Sequence, residues 1–174
     1  MAPRLPLGKW LEPCAGNGAI IRATNEWLDS VGYSKPQWTA VEIRPGAAKK
    51  LEEVPGLTNI ANADFFACAP LNFTVIISNP PFSLAMEFIE KCMAMSEHVI
   101  MLLRLNFLAS EERSEFMQRT RPDVYVLPNR PSFVLAGKTD SIEYAWFHWH
   151  KNSTGIVRVL PTTPIEERRT RRKK

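Results

Sequence analysis

Four consecutive residues, Asn79-Pro80-Pro81-Phe82, set an amide, two prolines and an aromatic ring directly after an apolar run, Phe73 to Ser78. The run reads as a buried strand. Neither proline can donate a ladder hydrogen bond, so the strand must stop in a rigid turn with open carbonyls. An amide oxygen and a proline carbonyl accept hydrogen bonds, and the adjacent ring can stack. Those are the parts needed to hold a planar amino group and the ring that carries it. By itself the tetrapeptide reads equally well as a strand-ending turn over a buried Phe, since Asn and Pro are common in loops.

A second group lies at Glu12-Pro13-Cys14-Ala15-Gly16-Asn17-Gly18. Gly16 and Gly18 permit a tight turn and close approach of a ligand, and the helix that follows offers unpaired amides. Where a dinucleotide fingerprint needs its third glycine stands Ile21, and no Lys-Ser/Thr pair is present. Glu12 beside the turn would repel a pyrophosphate. The loop is therefore expected to receive a ligand without phosphates that carries a cationic or hydrogen-bond-donating group. Two further acids end the next two strands. At Glu42 a carboxylate can accept both hydroxyls of a ribose. At Asp64, followed by Phe65 and Phe66, an acid beside a ring suits an adenine. Each acid alone reads as a helix cap or a solvated charge; three at successive strand ends form a pattern.

Alternating elements must position these groups. Strands are expected at Lys9–Pro13, Trp38–Ile43, Thr58–Ala63, Phe73–Ser78, His98–Leu103, Val124–Leu127 and Glu143–His150, with Gly155–Leu160 as a further candidate. Helices are expected at Ala19–Val31, stopped by Gly32, and at Ala47–Val54, Ser83–Ser96 with Ser83 as N-cap, and Ser110–Thr120. This alternation predicts an α/β fold: a doubly wound, mostly parallel seven-stranded sheet with a C-terminal antiparallel hairpin. Ligands of such sheets bind outside the carboxyl ends of the strands.

The 174 residues suit one domain, expected over 1–163, with a basic tail at 164–174. The last seven residues hold six of the 22 basic groups; without them 16 basic residues face 18 acidic ones. The formal charge of +4 therefore belongs to the tail, which could add phosphate affinity or serve only as a solvated terminus. No apolar stretch nears the ~20 residues of a membrane span. The N-terminus lacks a signal-like run, and three scattered cysteines imply neither a disulfide framework nor a zinc knuckle, so a reducing, cytoplasmic compartment is expected.

In order and spacing these groups resemble class I S-adenosylmethionine-dependent amino-methyltransferases, specifically those acting on adenine N6 of DNA. The resemblance spans about residues 9–150 and implies a Rossmann-like fold. It implies S-adenosyl-L-methionine as cofactor, with Glu12, Pro13, Cys14, Gly16 and Gly18 around its methionine part. Glu42 and Ile43 would meet its ribose, Asp64 and Phe65 its adenine, and Asn79 lies beside it. Asn79, Pro80, Pro81 and Phe82 would be catalytic, with Phe82 stacking on the target base. Asn129-Arg130-Pro131-Ser132-Phe133 and Gly137 to Ser141 resemble the late motif of these enzymes and their phage-type relatives. There Phe133 would pack on the other face of an extruded base, with Arg130 and Lys138 on phosphates. Hairpin packing and solvated charge explain these three equally well.

Other features read as structural. The aromatic run Trp146 to His150 suits a strand buried on both faces, and His148 with His150 make a weak metal site, so no metal is expected. Cys14, Cys68 and Cys92 lack the setting of a cytosine-C5 nucleophile. The resemblance usually includes a helix before the first motif, for which few residues remain here, so the cofactor site is expected either to be open and weak on that side or to be completed by a homo-oligomer or a partner subunit. DNA is the first expected acceptor, in a bacterial or phage-infected cell. The alternatives are adenine N6 of RNA, a protein glutamine amide, or a non-catalytic nucleic-acid-binding subunit.

Overall fold

A computed structural model describes residues 5–129, 131 and 142–162. Among the described residues the chain alternates as expected: β1 (Lys9–Glu12), α1 (Ala19–Ser30), β2 (Gln37–Val41), α2 (Pro45–Leu51), β3 (Leu57–Ala61), β4 (Val75–Ser78), α3 (Ala85–Met93), β5 (His98–Arg104), α4 (Glu111–Thr120), β6 (Asp123–Val126), β7 (Tyr144–His150) and β8 (Val157–Val159). The sheet order is β3-β2-β1-β4-β5-β7-β6-β8. It is mostly parallel, with β6 and β7 antiparallel. Sequence reasoning counted seven strands; the eighth, β8, is the tentative Gly155–Leu160 segment in shorter form, parallel to β6 at the sheet edge.

The described residues fall into two compact units, the first within Met1–Met101 and Trp149–Lys151, the second within Leu102–His148 and Asn152–Lys174. In the first, β1 pairs with β2 on one side and β4 on the other, in the register Trp10↔Trp38 and Leu11↔Ile76. The paired tryptophan rings meet edge-on at 5.3 Å, and Trp38 is fully buried. Its indole N–H donates to Asn25 Oδ1 (2.9 Å), and Asn25 Nδ2 donates to the Pro55 carbonyl (2.8 Å). One buried amide thus ties α1 to β2 and to the turn before β3, with its polar atoms satisfied. Ile21 and Leu28 of α1 are buried, as are Phe88 and Ile89 of α3. Each such large apolar side chain contributes roughly 1.5–3 kcal/mol.

In the second unit, Asp123 at the start of β6 is buried, and its Oδ1 accepts from the amides of Thr154 (3.0 Å), Gly155 (3.2 Å) and Ile156 (3.3 Å). That carboxylate folds the chain back so that β8 lies along β6. Strand β7 is buried along most of its length, with Tyr144, Ala145 and Phe147 fully covered. Phe147 meets Phe107 edge-on at 5.7 Å, and the Arg113 guanidinium covers the Phe107 ring.

One expectation about local structure is corrected. Ser83 does not cap α3. After Pro81 the chain makes a 3-10 turn, Phe82–Leu84, closed by Leu84 N–H to the Pro81 carbonyl (2.9 Å), and α3 begins at Ala85 behind Leu84. The extended backbone of Pro81 leads directly into that tight turn, so Ser83 falls inside it with its side chain exposed. No helix among the described residues is long and apolar enough to cross a membrane.

Candidate active site

The residues singled out in the first unit gather at the carboxyl ends of β1, β2, β3 and β4. Strand β1 ends at Glu12, and the chain turns through Gly16 (φ +56°) and Gly18 (φ +80°) into α1. The two glycines differ in what surrounds them. A Cβ at Gly18 would lie 2.7 Å from Val54 Cγ2 and 3.1 Å from Leu51 Cδ2, so Gly18 is required by packing as well as by its backbone. At Gly16 such an atom meets only Arg44 Nη2, at 3.6 Å. That side of the turn is where a ligand can approach the backbone.

Glu12 is 1% exposed, with Oε2 buried and unpartnered. Burial pushes its carboxyl well above the ordinary value; the Ile21 amide of α1 opposes this and the Glu42 charge adds to it. The expectation of a carboxylate presented beside the turn, repelling phosphates, is therefore corrected: the group faces inward and is held toward its neutral form. The same burial pushes the Cys14 thiol up to about 11, with the charges of Glu42 and Glu12 adding and that of Arg44 subtracting. A thiol so held keeps its proton near neutral pH and lacks the thiolate character of a nucleophile.

Glu42, one residue beyond β2, is also buried, but it is ionised. Its Oε2 accepts from the Gly16 amide (2.6 Å), and its Oε1 accepts from the Arg44 amide (2.9 Å) and Nε (2.8 Å). Burial raises its pKa; the hydrogen bonds from Arg44 and Gly16 and the Arg44 charge outweigh that and hold it below the ordinary value. Ile43 beside it is 61% exposed, an apolar surface open to a ligand.

Asp64 follows β3 and caps a 3-10 turn, Phe65–Ala67, its Oδ1 accepting from Phe66 N (2.9 Å). The two rings stay in contact at 5.9 Å, and both meet Phe88 of α3. Phe65 is 3% exposed and stacks on Phe88 at 5.3 Å, whereas Phe66 is 39% exposed. Phe65 is thus covered, and Phe66, which meets Phe88 edge-on at 4.8 Å, is the more open of the two rings. Lys91 of α3 holds this loop, donating to the carbonyls of Phe65 (2.8 Å), Phe66 (3.0 Å) and Cys68 (2.9 Å).

Strand β4 ends at Ser78, which is fully buried with its Oγ unpartnered. Asn79 follows, half-buried, and its Oδ1 is likewise buried without a partner. Pro80 is buried, Pro81 exposed and Phe82 half-buried. Because β4 lies beside β1, Asn79 leaves the sheet on the same edge as the Glu12–Gly18 turn, next to it. Native proteins pair nearly all buried polar atoms, so orphaned acceptors at a strand end point to a donor that binds there.

Arg130, Phe133 and Lys138 lie outside the described residues. Among the described residues no three His, Cys, Asp or Glu side chains form a metal-binding group; the His98 and His150 rings stack at 5.8 Å. Sequence reasoning passed over Arg44, Ser78 and Lys91. The Glu-x-Arg spacing signals the first, and the strand-end position the second. Nothing local signals Lys91, whose partners lie more than twenty residues away.

No protein-family model and no curated protein matches the sequence. Solved structures do match in fold. A putative class I S-adenosylmethionine-dependent methyltransferase from Listeria monocytogenes aligns over 90% of this chain with TM-score 0.63 and 12% identity. A type I restriction-modification methyltransferase subunit from Streptococcus thermophilus aligns over 87% with TM-score 0.65 and 14% identity. The 23S rRNA methyltransferase ErmE aligns over 89% with TM-score 0.57 and 19% identity. The chain spans 60%, 41% and 66% of those three chains. The fold is that of the class I methyltransferases. Within it, this chain carries Asn-Pro-Pro-Phe after β4 and a buried acid after β2.

Proposed function

We propose that the protein is an S-adenosylmethionine-dependent methyltransferase acting on the exocyclic N6 amino group of adenine in DNA. The observation that carries this reading is Asn79 Oδ1, buried and unpartnered beside the glycine turn. A planar amine brings the missing donor. Its lone pair is delocalised into the ring, which makes it a poor nucleophile. Asn79 Oδ1 and the Pro80 carbonyl each accept one amine proton, which favours a pyramidal nitrogen and frees the lone pair. An amide is too weak a base to remove a proton first, so the proton leaves to solvent after the new N–C bond forms. Phe82 stacks on the base, which must leave the duplex to reach the site.

The cofactor's residues also fit. S-adenosylmethionine supplies a methyl group on a positively charged sulfur. The open side of Gly16 admits it to the backbone, Glu42 accepts from its ribose, and exposed Ile43 and Phe66 cover its adenine. Asp64 keeps one carboxylate oxygen for the adenine amino group while the other caps its turn. Arg130, Phe133 and Lys138 are assigned by resemblance to the second face of the base and to phosphates.

The test is transfer of tritiated methyl from the cofactor to unmethylated DNA, to RNA and to a glutamine-bearing protein, with Asn79→Ala as control. The expected result is label in DNA adenine, reduced about 10²-fold or more by the substitution, the scale of losing one preorganised transition-state partner. Equal label with the variant rejects the mechanism. Label confined to RNA or protein moves the acceptor and keeps the chemistry.

A further inference from the structure

Glu42 presents a conflict that the proposed ribose role must resolve. Four N–H groups already converge on it. Two come from backbone amides, Gly16 on Oε2 (2.6 Å) and Arg44 on Oε1 (2.9 Å). Two come from the Arg44 guanidinium, Nε on Oε1 (2.8 Å) and Nη2 on Oε2 (3.4 Å). A carboxylate has about four acceptor positions. The amides fix the group with one bond to each oxygen, and the guanidinium fork fills the second position on each. A cis-diol needs one acceptor position on each oxygen, and the two it needs are those the fork holds.

We propose that Arg44 is an internal competitor for the ribose subsite: a nucleoside's cis-diol reaches Glu42 only as the Arg44 fork leaves it, so Arg44 sets the affinity of the site for its ligand. This rests on Glu42 being the ribose partner. The exposures of the pair favour the exchange. The Arg44 side chain is 70% exposed, so the released guanidinium passes into water, while Glu42, 3% exposed, stays behind and requires replacement donors. The diol supplies two, and the amides of Gly16 and Arg44 keep the carboxylate in place meanwhile. Arg44 Nη2 also lies over the open side of Gly16, so the movement that frees Glu42 uncovers the turn. Glu-x-Arg at the end of β2 thus places the acid and its temporary cover within three residues of chain.

The test is isothermal titration of the full chain and of Arg44→Met with S-adenosylhomocysteine and with its 2′,3′-dideoxy analogue. Methionine keeps an apolar stem and removes the fork. With its Arg44 end in water the ion pair is modest in strength, so Arg44→Met is expected to bind S-adenosylhomocysteine about three- to tenfold tighter. Affinity for the dideoxy analogue is expected to rise less, because uncovering Gly16 serves both ligands and freeing Glu42 serves only the diol. Arg44→Lys, which keeps the charge and loses the fork, is expected to give a smaller gain in the same direction. Equal or weaker binding of S-adenosylhomocysteine by Arg44→Met, with binding by the native chain, overturns the competition and leaves the proposed function standing. A gain of the same size for both ligands also overturns it, because Arg44 then acts by bulk or charge and not through the diol. Failure of both proteins to bind S-adenosylhomocysteine overturns the proposed function and the competition with it.

Discussion

At Glu12 a carboxyl is buried with one oxygen unpartnered, and its folded pKa stands above the ordinary 4.5. The folded chain therefore keeps a proton that the unfolded chain gives up. Stability from this group is fully present below 4.5 and is lost as pH rises from there through the raised value. Each unit of elevation corresponds to about 1.4 kcal/mol. Glu42 has the opposite sign: its pKa is depressed, so its contribution is present above the unfolded value and is lost as pH falls through the folded one. Glu12→Gln keeps the neutral shape and is expected to melt at higher temperature than the native chain toward neutral and alkaline pH, with the two curves converging near pH 4. Parallel melting curves across that range would reject the assignment. The orphaned Glu12 shows what sequence can and cannot deliver at this scale. Its position at the end of β1 was legible from an apolar run ending before glycines. Its inward orientation was not, because orientation depends on how Pro13 and the turn pack. Likewise Asp64-Phe65-Phe66 was legible as a unit, but which ring is buried depends on packing against α3, far along the chain, where Phe88 meets both rings.

The elements themselves were largely legible, since strands and helices differ in hydrophobic period and the glycines and prolines mark their ends. Boundaries shifted by up to three residues, and α3 lost its expected cap to the 3-10 turn after Pro81. Strand β8 was the faintest, because its three residues are exposed and its position depends on Asp123 gathering the amides of Thr154, Gly155 and Ile156. A similar long-range device joins α3 to the loop after β3. The Lys91 ammonium spends its three protons on three carbonyls of that loop and lies 4.8 Å from the Phe65 ring centre. Lys91→Met removes all three bonds while keeping the apolar stem. It is expected to cost about 1–2 kcal/mol, since part of the site is open to water. Amide exchange across residues 65–68 is expected to quicken more than in β1 or β4. Unchanged exchange there, measured by mass spectrometry, would show that the loop holds its shape through Asp64 and the phenylalanines alone.

For the whole molecule the α/β class followed from alternation, and the acids and glycines converge because parallel strands all end on one edge. Charge is a property of this scale too, and it is uneven. Without the last seven residues the chain carries 16 basic and 18 acidic groups, so association with a polyanion would have to work against a slight negative balance. With them, six cations are added on seven residues. Cations that contact phosphates release counterions, and the logarithm of the binding constant then falls with the logarithm of salt by about 0.9 per contact on duplex DNA. Deleting residues 168–174 is therefore expected to flatten that slope by up to about 5, with the largest loss of affinity at low salt. The effect is expected to be the same on duplexes of unrelated sequence, because phosphates carry no sequence information. Under the proposed function, methyl transfer at saturating DNA is expected to persist, since the groups proposed to meet the amine lie at the end of β4. Fluorescence anisotropy between 50 and 200 mM salt, with full-length and shortened chains, measures the slope directly. An identical slope would assign the phosphate contacts to the body of the protein and leave the tail as a solvated terminus.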